Sequence, residues 1–274
     1  DLFVLGSQVL LAANTPAEGG ELWKSDGTVA GTVLVRDIVP GTGSSNPVAF
    51  GVAGGCALLT LRPASLDTEI WRTDGTFAGT VPLLDPTPLA ETTSNPFELA
   101  AADGQLLFSA DDGSNGREPW RSNGTAVATS LLADITAGGS GSDPTQFVSA
   151  GSTTYFTAQS ATGREVWKTL GSPGTSLLVE DIRPGSSSSF PDSLAVIDGI
   201  LYFRADDGTN GSELWRSQGT AATTEMIVNL EPGSGGSGPS EIRESGSFGR
   251  GIGFSAFTTT GGAKLYTTTG AVGN

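Results

Sequence analysis

The 274-residue chain has no histidine, one cysteine, one methionine and three lysines. Without histidine there is no Ser-His-Asp or Cys-His catalysis and no histidine-containing zinc site. The lone Cys56 excludes an intrachain disulfide. Within the apolar run Cys56-Ala57-Leu58-Leu59 it reads as a small core residue. No apolar run approaches the ~18 residues of a membrane helix, and no leader is visible, so membrane insertion is not expected. Charged residues make up only 16% of the chain and are unbalanced, 29 acidic against 14 basic, for a net charge of −15. Such a chain repels phosphate backbones, which argues against nucleic acid as a partner. The same charge favours cations and cationic partners. Helical 3.6-residue periodicity is missing throughout.

What the chain has in quantity is punctuation and repetition. Forty glycines and fifteen prolines suit many short strands joined by tight turns. All five tryptophans fall in one recurring signature. Its copies are Glu21-Leu22-Trp23-Lys24-Ser25-Asp26-Gly27-Thr28, Glu69-Ile70-Trp71-Arg72-Thr73-Asp74-Gly75-Thr76, Glu118-Pro119-Trp120-Arg121-Ser122-Asn123-Gly124-Thr125, Glu165-Val166-Trp167-Lys168-Thr169-Leu170-Gly171 and Glu213-Leu214-Trp215-Arg216-Ser217-Gln218-Gly219-Thr220. A worn sixth copy is Lys264-Leu265-Tyr266-Thr267-Thr268-Thr269-Gly270. The aromatic recurs every 47 to 51 residues, a period that marks a repeat architecture.

Residues 191–232 show the unit best. Four runs of strand length and composition, 193–197, 200–205, 213–217 and 225–230, are separated by Asp-Gly and Gly-Thr turns. Four antiparallel strands per ~48 residues is the period of a propeller blade. Packing on both faces explains strands that are apolar nearly without alternation. The expectation is an all-β, six-bladed β-propeller of mostly four-stranded blades, one domain over 1–274. Blades fall near 1–40, 41–87, 88–136, 137–184, 185–232 and 233–274, with five blades plus an extra piece as the alternative. The sixth blade lacks a fourth strand within this sequence. The repeated tryptophan is expected to be a buried wedge between blades. An indole buries roughly 150–250 Å², up to about 4–6 kcal/mol at ~25 cal/mol per Å².

These residues resemble the bacterial ELWxxDGT repeat family. The matches are Phe203-Arg204-Ala205-Asp206-Asp207-Gly208, Asp26-Gly27-Thr28-Val29-Ala30-Gly31-Thr32 and Asp181-Ile182-Arg183-Pro184-Gly185. The resemblance spans nearly the whole chain. Its departures are Asp85-Pro86, without the Ile-x-Pro-Gly step, and residues 264–274, which keep little beyond the Tyr and Gly. It implies a propeller-like fold in a large exported or surface protein and brings no agreed enzymatic activity.

Strand order decides which turns share a side. Turns between second and third strands lie with the linkers between blades; the Asp-Gly-Thr turns lie on the other side. The linker side therefore collects Asp111, Asp112, Asp206 and Asp207, with Asp37, Asp134 and Asp181 at ends of fourth strands. It also holds the variable loops, one with Pro63, Ala64, Ser65 and Asp67, another with Ser160, Thr162 and Gly163. The candidate metal ligands are Asp111, Asp112, Asn115 and Glu118 in one loop and Asp206, Asp207, Asn210 and Glu213 in another. Calcium takes six to eight such oxygens. The competing reading is a hairpin turn in which Asp, Asn and Gly accept positive φ. No catalytic residues stand out.

The expected function is a non-enzymatic, secreted or cell-surface interaction or scaffold module, binding a protein or carbohydrate on the linker side. Alternatives are a calcium-assisted lectin and a propeller glycosidase or lyase working through two carboxylates. Fold alone does not choose among them.

Overall fold

The computed structural model describes residues 2–62, 68–84, 94–245 and 251–270. The Pro63–Asp67 loop and the Asp85-Pro86 step lie outside the described residues. Among the described residues every regular element is a strand apart from two single 3₁₀ turns at Ala126–Ala128 and Ala221–Thr223. The chain divides into two compact units, Asp1–Gly141 and Ser142–Asn274.

The first unit holds three antiparallel sheets, each ordered as in the sequence. They are β1 (Leu2–Leu5), β2 (Gln8–Thr15), β3 (Gly19–Ser25), β4 (Val33–Arg36); then β5 (Val48–Ala53), β6 (Cys56–Leu61), β7 (Glu69–Thr73), β8 (Val81–Leu84); then β9 (Phe97–Ala102), β10 (Gln105–Asp111), β11 (Arg117–Ser122), β12 (Ser130–Leu131). The second unit repeats the plan. Its sheets are β13 (Thr145–Ala150), β14 (Thr153–Ser160), β15 (Gly163–Thr169), β16 (Leu177–Leu178); β17 (Asp192–Ile197), β18 (Ile200–Asp206), β19 (Ser212–Ser217), β20 (Glu225–Val228); and β21 (Ser240–Glu244), β22 (Ile252–Thr258), β23 (Gly262–Thr268). Among the described residues five sheets have four strands and the last has three.

The turns follow local chemistry. Ile197 pairs with Ile200, so Asp198-Gly199 is a two-residue hairpin loop with φ of 51° and 77°. That geometry requires positive φ twice, which Asp tolerates and Gly favours.

In most sheets the second strand is the most buried. Leu58 and Leu59, Leu106 to Phe108, Phe156, Leu201, Phe203 and Phe254 are almost fully enclosed. Consecutive buried residues mean that both faces are covered. In the first unit, Leu10, Leu22 and Val35 pack on Leu59, Leu61 and Trp71, while Leu58 and Ile70 pack on Leu106, Phe108 and Trp120. In the second unit, Tyr155 and Val166 meet Leu201 and Phe203, and Tyr202 and Leu214 meet Ile252 and Phe254.

The tryptophans correct one expectation. Trp71 and Trp120 are 7% and 8% exposed, but Trp23, Trp167 and Trp215 are only half-buried. Each lies on the third strand opposite the enclosed residue of the second, as Trp120 opposite Phe108 and Trp215 opposite Phe203. The third strand is one place away from the most buried one, so the indole's outer edge keeps contact with solvent. Trp71 gains extra cover from Arg36, whose guanidinium lies 5.6 Å from its ring and 4.8 Å from that of Phe77. Cys56 is also half-buried, because it is the first residue after the Gly54-Gly55 turn.

Phe203→Ala and Trp120→Ala are each expected to cost about 3–5 kcal/mol, and the half-buried Trp215→Ala clearly less. Urea denaturation measures all three; an equal loss at Trp215 and Phe203 would contradict this ranking.

Candidate functional site

The repeated glutamate is a structural clamp. Glu21, Glu118, Glu165 and Glu213 are fully buried. Glu21 accepts from the backbone N–H of Ile38, Val39 and Ser45 and from Ser45 Oγ at 2.6 Å. Glu213 accepts from Glu231 N, Ser237 N and Ser237 Oγ at 3.1, 3.0 and 2.5 Å. Glu165 accepts from Ser189 N and Oγ, and Glu118 from Thr136 N. A carboxylate offers only acceptors, so it gathers linker N–H groups that burial would otherwise orphan. Glu69 accepts the indole N–H of Trp71 at 2.8 Å. The linker serines then tie to the next second strand, since Ser45 O, Ser189 O and Ser237 O accept from Arg62 N, Asp206 N and Phe257 N.

The Asp-Gly-Thr turns are closed on themselves. Asp26 Oδ1 accepts from Thr28 N and Oγ1, Thr28 Oγ1 from Gly31 N, and Ser25 Oγ meets Thr32 Oγ1 at 2.7 Å. Thr73 to Thr80 repeat the pattern bond for bond. The Thr28 hydroxyl and N–H hold the Asp26 carboxyl below its usual range, and Thr76 does the same for Asp74.

The candidate calcium loops are also built as turns. Asp112 Oδ1 accepts from Ser114 N and Asn115 N, and its Oδ2 from Asn115 Nδ2. Asp207 makes the same three bonds to Thr209 and Asn210. Burial pushes both carboxyls up, but these bonds together outweigh it and leave them below the usual value. Asp111 and Asp206 accept from Gly113 N and Gly208 N. Asn210 Oδ1 is taken by Asn229 Nδ2, and Arg183 Nη1 stands 3.6 Å from Asp206. Glu118 and Glu213 turn into the clamp described above. Among the described residues no three Asp, Glu or Cys side chains converge as a metal-binding group.

Two of the cations that follow a tryptophan reach the next sheet, whereas Arg121 bonds Ser130 and Gln105 of its own. Arg72 Nη1 donates to Gly124 O at 3.2 Å and Arg216 to Gly270 O. Arg216 also pairs with Glu225.

What remains are polar residues that vary from sheet to sheet, at the linker-side ends of first, second and third strands. In the third sheet Arg117 lies 4.6 Å from the Phe97 ring and donates to Asn95 O at 2.7 Å. In the fourth, Arg164 donates to Asp143 O at 2.9 Å and to Thr157 Oγ1 at 3.2 Å. In the fifth, Arg204 pairs with Asp192, while Arg204 Nε and Asp192 Oδ1 are buried without a partner among the described residues. Burial pulls both Arg164 and Arg204 below the usual guanidinium value, with Asp143 opposing it at Arg164. Nearby first strands carry a bulge at a left-handed residue, Glu98, Gln146, Ser193 and Glu241, with φ between 53° and 57°. Sequence reading missed these residues. Its signal was Arg204 in Phe203-Arg204-Ala205, where the sister strands read Phe108-Ser109-Ala110, Phe156-Thr157-Ala158 and Phe254-Ser255-Ala256.

No family model and no curated protein matches the chain. Solved structures do. A prolyl endopeptidase superimposes with a TM-score of 0.55 at 14% identity, over 100% of this chain and 40% of that one. Oligopeptidase B from Leishmania major gives 0.53 at 11%, over 98% and 39%. A Mycobacterium tuberculosis puromycin-hydrolyzing peptidase gives 0.54 at 11%, over 98% and 42%. The chain thus spans about two fifths of the length of each. At these identities the likeness bears on the fold alone, and it supports a β-propeller-like all-β architecture.

Removing a clamp carboxylate strands several buried donors at about 1–3 kcal/mol each. Glu213→Ala is therefore expected to cost at least about 3 kcal/mol, read by urea denaturation, whereas an unchanged midpoint would deny the clamp. Burial pushes Glu165 up to about 7 against the pull of Ser189 and Ile182. A raised acid contributes stability below its unfolded value of 4.5 and loses it as pH rises through about 7. The melting temperature is expected to fall between pH 5 and pH 8 more in the native protein than in Glu165→Gln; parallel profiles would remove Glu165 as the cause.

Proposed function

We propose that the six sheets are blades of one propeller of the ELWxxDGT type, a non-enzymatic, secreted or surface module that binds its partner on the linker side. One observation carries this reading. The repeated polar residues are used up inside the scaffold, whereas the polar residues that vary between sheets lie at the linker-side strand ends. A fixed frame with variable loops is the usual arrangement for recognition. The Asp-Gly-Thr side, with its self-bonded turns, offers the same surface again and again.

The peptidases of similar fold bring no catalytic residue to this chain, which has no histidine. A carboxylate pair is the route left to hydrolysis, and the strongly buried carboxylates are clamped to linker N–H groups. Calcium enters the proposal as an assistant to binding, tested by a chelator.

Peptide and glycan arrays, probed with and without chelator, are expected to give binding that Arg204→Glu abolishes and Val29→Glu, on the opposite side, leaves intact. The reverse pattern would overturn the choice of side. Turnover of ester, glycosidic or peptide substrates that a single carboxylate change abolishes would overturn the non-enzyme reading.

A further inference from the structure

The linker-side end of the fifth sheet departs from the repeat twice, each time against the interest of the fold. The residue between the linker serine and the proline that follows is Asn46, Asn95, Asp143, Phe190 or Gly238. All five are left-handed, with φ of 47°, 33°, 45°, 48° and 56°. Asn, Asp and Gly accept that backbone, whereas a phenylalanine is strained by it. Phe190 is also 65% exposed, so packing does little to offset the strain. The second departure is at the opening residue of the first strand. Thr145 and Thr157 join hydroxyls at 2.8 Å, and so do Ser240 and Ser255. Among the described residues only the fifth sheet places a charged pair there, Asp192 with Arg204. That pair leaves Asp192 Oδ1 and Arg204 Nε without partners, where two hydroxyls would leave nothing over. The two departures are adjacent. Ser189 O accepts from Asp206 N at 2.9 Å and Asp192 lies opposite Arg204, so Phe190 spans the step between these links. Strain and unmet polar groups kept together at one place point to use by a ligand.

We propose that this end of the fifth sheet binds a neutral carbohydrate, with Phe190 against a pyranose ring and the Asp192–Arg204 pair on two adjacent hydroxyls. The face of an aromatic ring is negative and attracts the polarised C–H groups of a sugar. A carboxylate only accepts and a guanidinium only donates. A hydroxyl does both, so two neighbouring hydroxyls satisfy Asp192 Oδ1 and Arg204 Nε at once. The side chains of Arg204 and Asp192 keep 32% and 31% of their surface open. The unpartnered atoms lie just beneath, and side-chain rotation on binding brings them to the ligand. The two charges cancel, which favours a neutral ligand over an ion. The net charge of −15 disfavours acidic sugars further. An apolar peptide side chain would cover Phe190 and leave the spare donor and acceptor unmet.

This inference deepens the linker-side binding reading and rests on it. The test is an NMR titration of the ¹⁵N-labelled chain with the methyl pyranosides of glucose, galactose and mannose. Tetrahydropyran serves as the ring without hydroxyls and N-acetylleucine amide as the apolar peptide probe. At least one glycoside is expected to bind in the millimolar range, shifting the amides of Phe190, Asp192 and Arg204, and tetrahydropyran at least about tenfold more weakly. Phe190→Asn restores the residue of the second and third sheets. Asp192→Thr combined with Arg204→Thr restores the hydroxyl pair of the fourth. Each is expected to weaken glycoside binding at least about tenfold while the melting temperature stays level or rises. Should the double variant not fold, Phe190→Asn alone decides. No shift at these amides with any glycoside, equal binding of tetrahydropyran, preference for N-acetylleucine amide or undiminished binding in a folded variant each overturns the proposal. A melting temperature lowered in both variants assigns the departures to the fold and overturns it too. A failed titration leaves peptide binding on the arrays and its loss in Arg204→Glu untouched, so the two readings fail separately.

Discussion

A carboxylate buried among backbone N–H groups is the constraint on which the rest of this structure depends. Linkers that cross from one sheet to the next cannot extend a β-ladder, so their N–H groups need other acceptors. Glu21, Glu165 and Glu213 supply them, each reaching a serine 24 residues ahead. The serine passes the connection on through its carbonyl to the next second strand. A buried ion without a counter-ion is costly; several charge-assisted hydrogen bonds oppose that cost, and at Glu165 burial still outweighs them. Apolar packing then acts on sheets already held in register. Phe203 is enclosed by sheets that Glu165 and Glu213 fix at the linker end on either side of its own.

The two ends of each sheet solve the same problem differently. At the Asp-Gly-Thr end the turn satisfies itself, so Thr28 and Thr76 need nothing from a neighbour. At the linker end satisfaction is shared between successive sheets. The self-sufficient end offers little to vary without losing the turn. At the linker end the clamp is fixed while the flanking positions are free, and there Ser109, Thr157, Arg204 and Ser255 differ from sheet to sheet.

The fold was largely legible in the sequence because it is written several times over. Strand runs, Asp-Gly hairpins and the 48-residue period agree with the six antiparallel sheets. The tryptophan was conspicuous through its size and rarity, and it was assigned more burial than it has. The smaller phenylalanine of the second strand carries the deeper packing, which only the topology reveals. The glutamate of the signature was legible as repeated but not as a clamp, because its partners lie in a linker far along the chain. The linker-side arginines were the least legible. Arg117 and Arg164 stand where the first, second and fifth sheets have Gly20, Thr68 and Ser212, so the position shows no pattern along the sequence.

The clamp also has a direction. Every glutamate with a bonded linker serine is bound by residues that come later in the chain. As the chain emerges during synthesis, a sheet completes its ladders before its buried carboxylate has a partner, and that partner arrives with the next linker. The serine follows the end of the fourth strand by 9 to 11 residues, so each of these finished sheets stays a provisional structure until they are made. The last of those residues both locks the finished sheet and anchors the one about to form. Assembly in this order is vectorial, running from the N-terminus forward, and each repeat serves as the folding template of its successor.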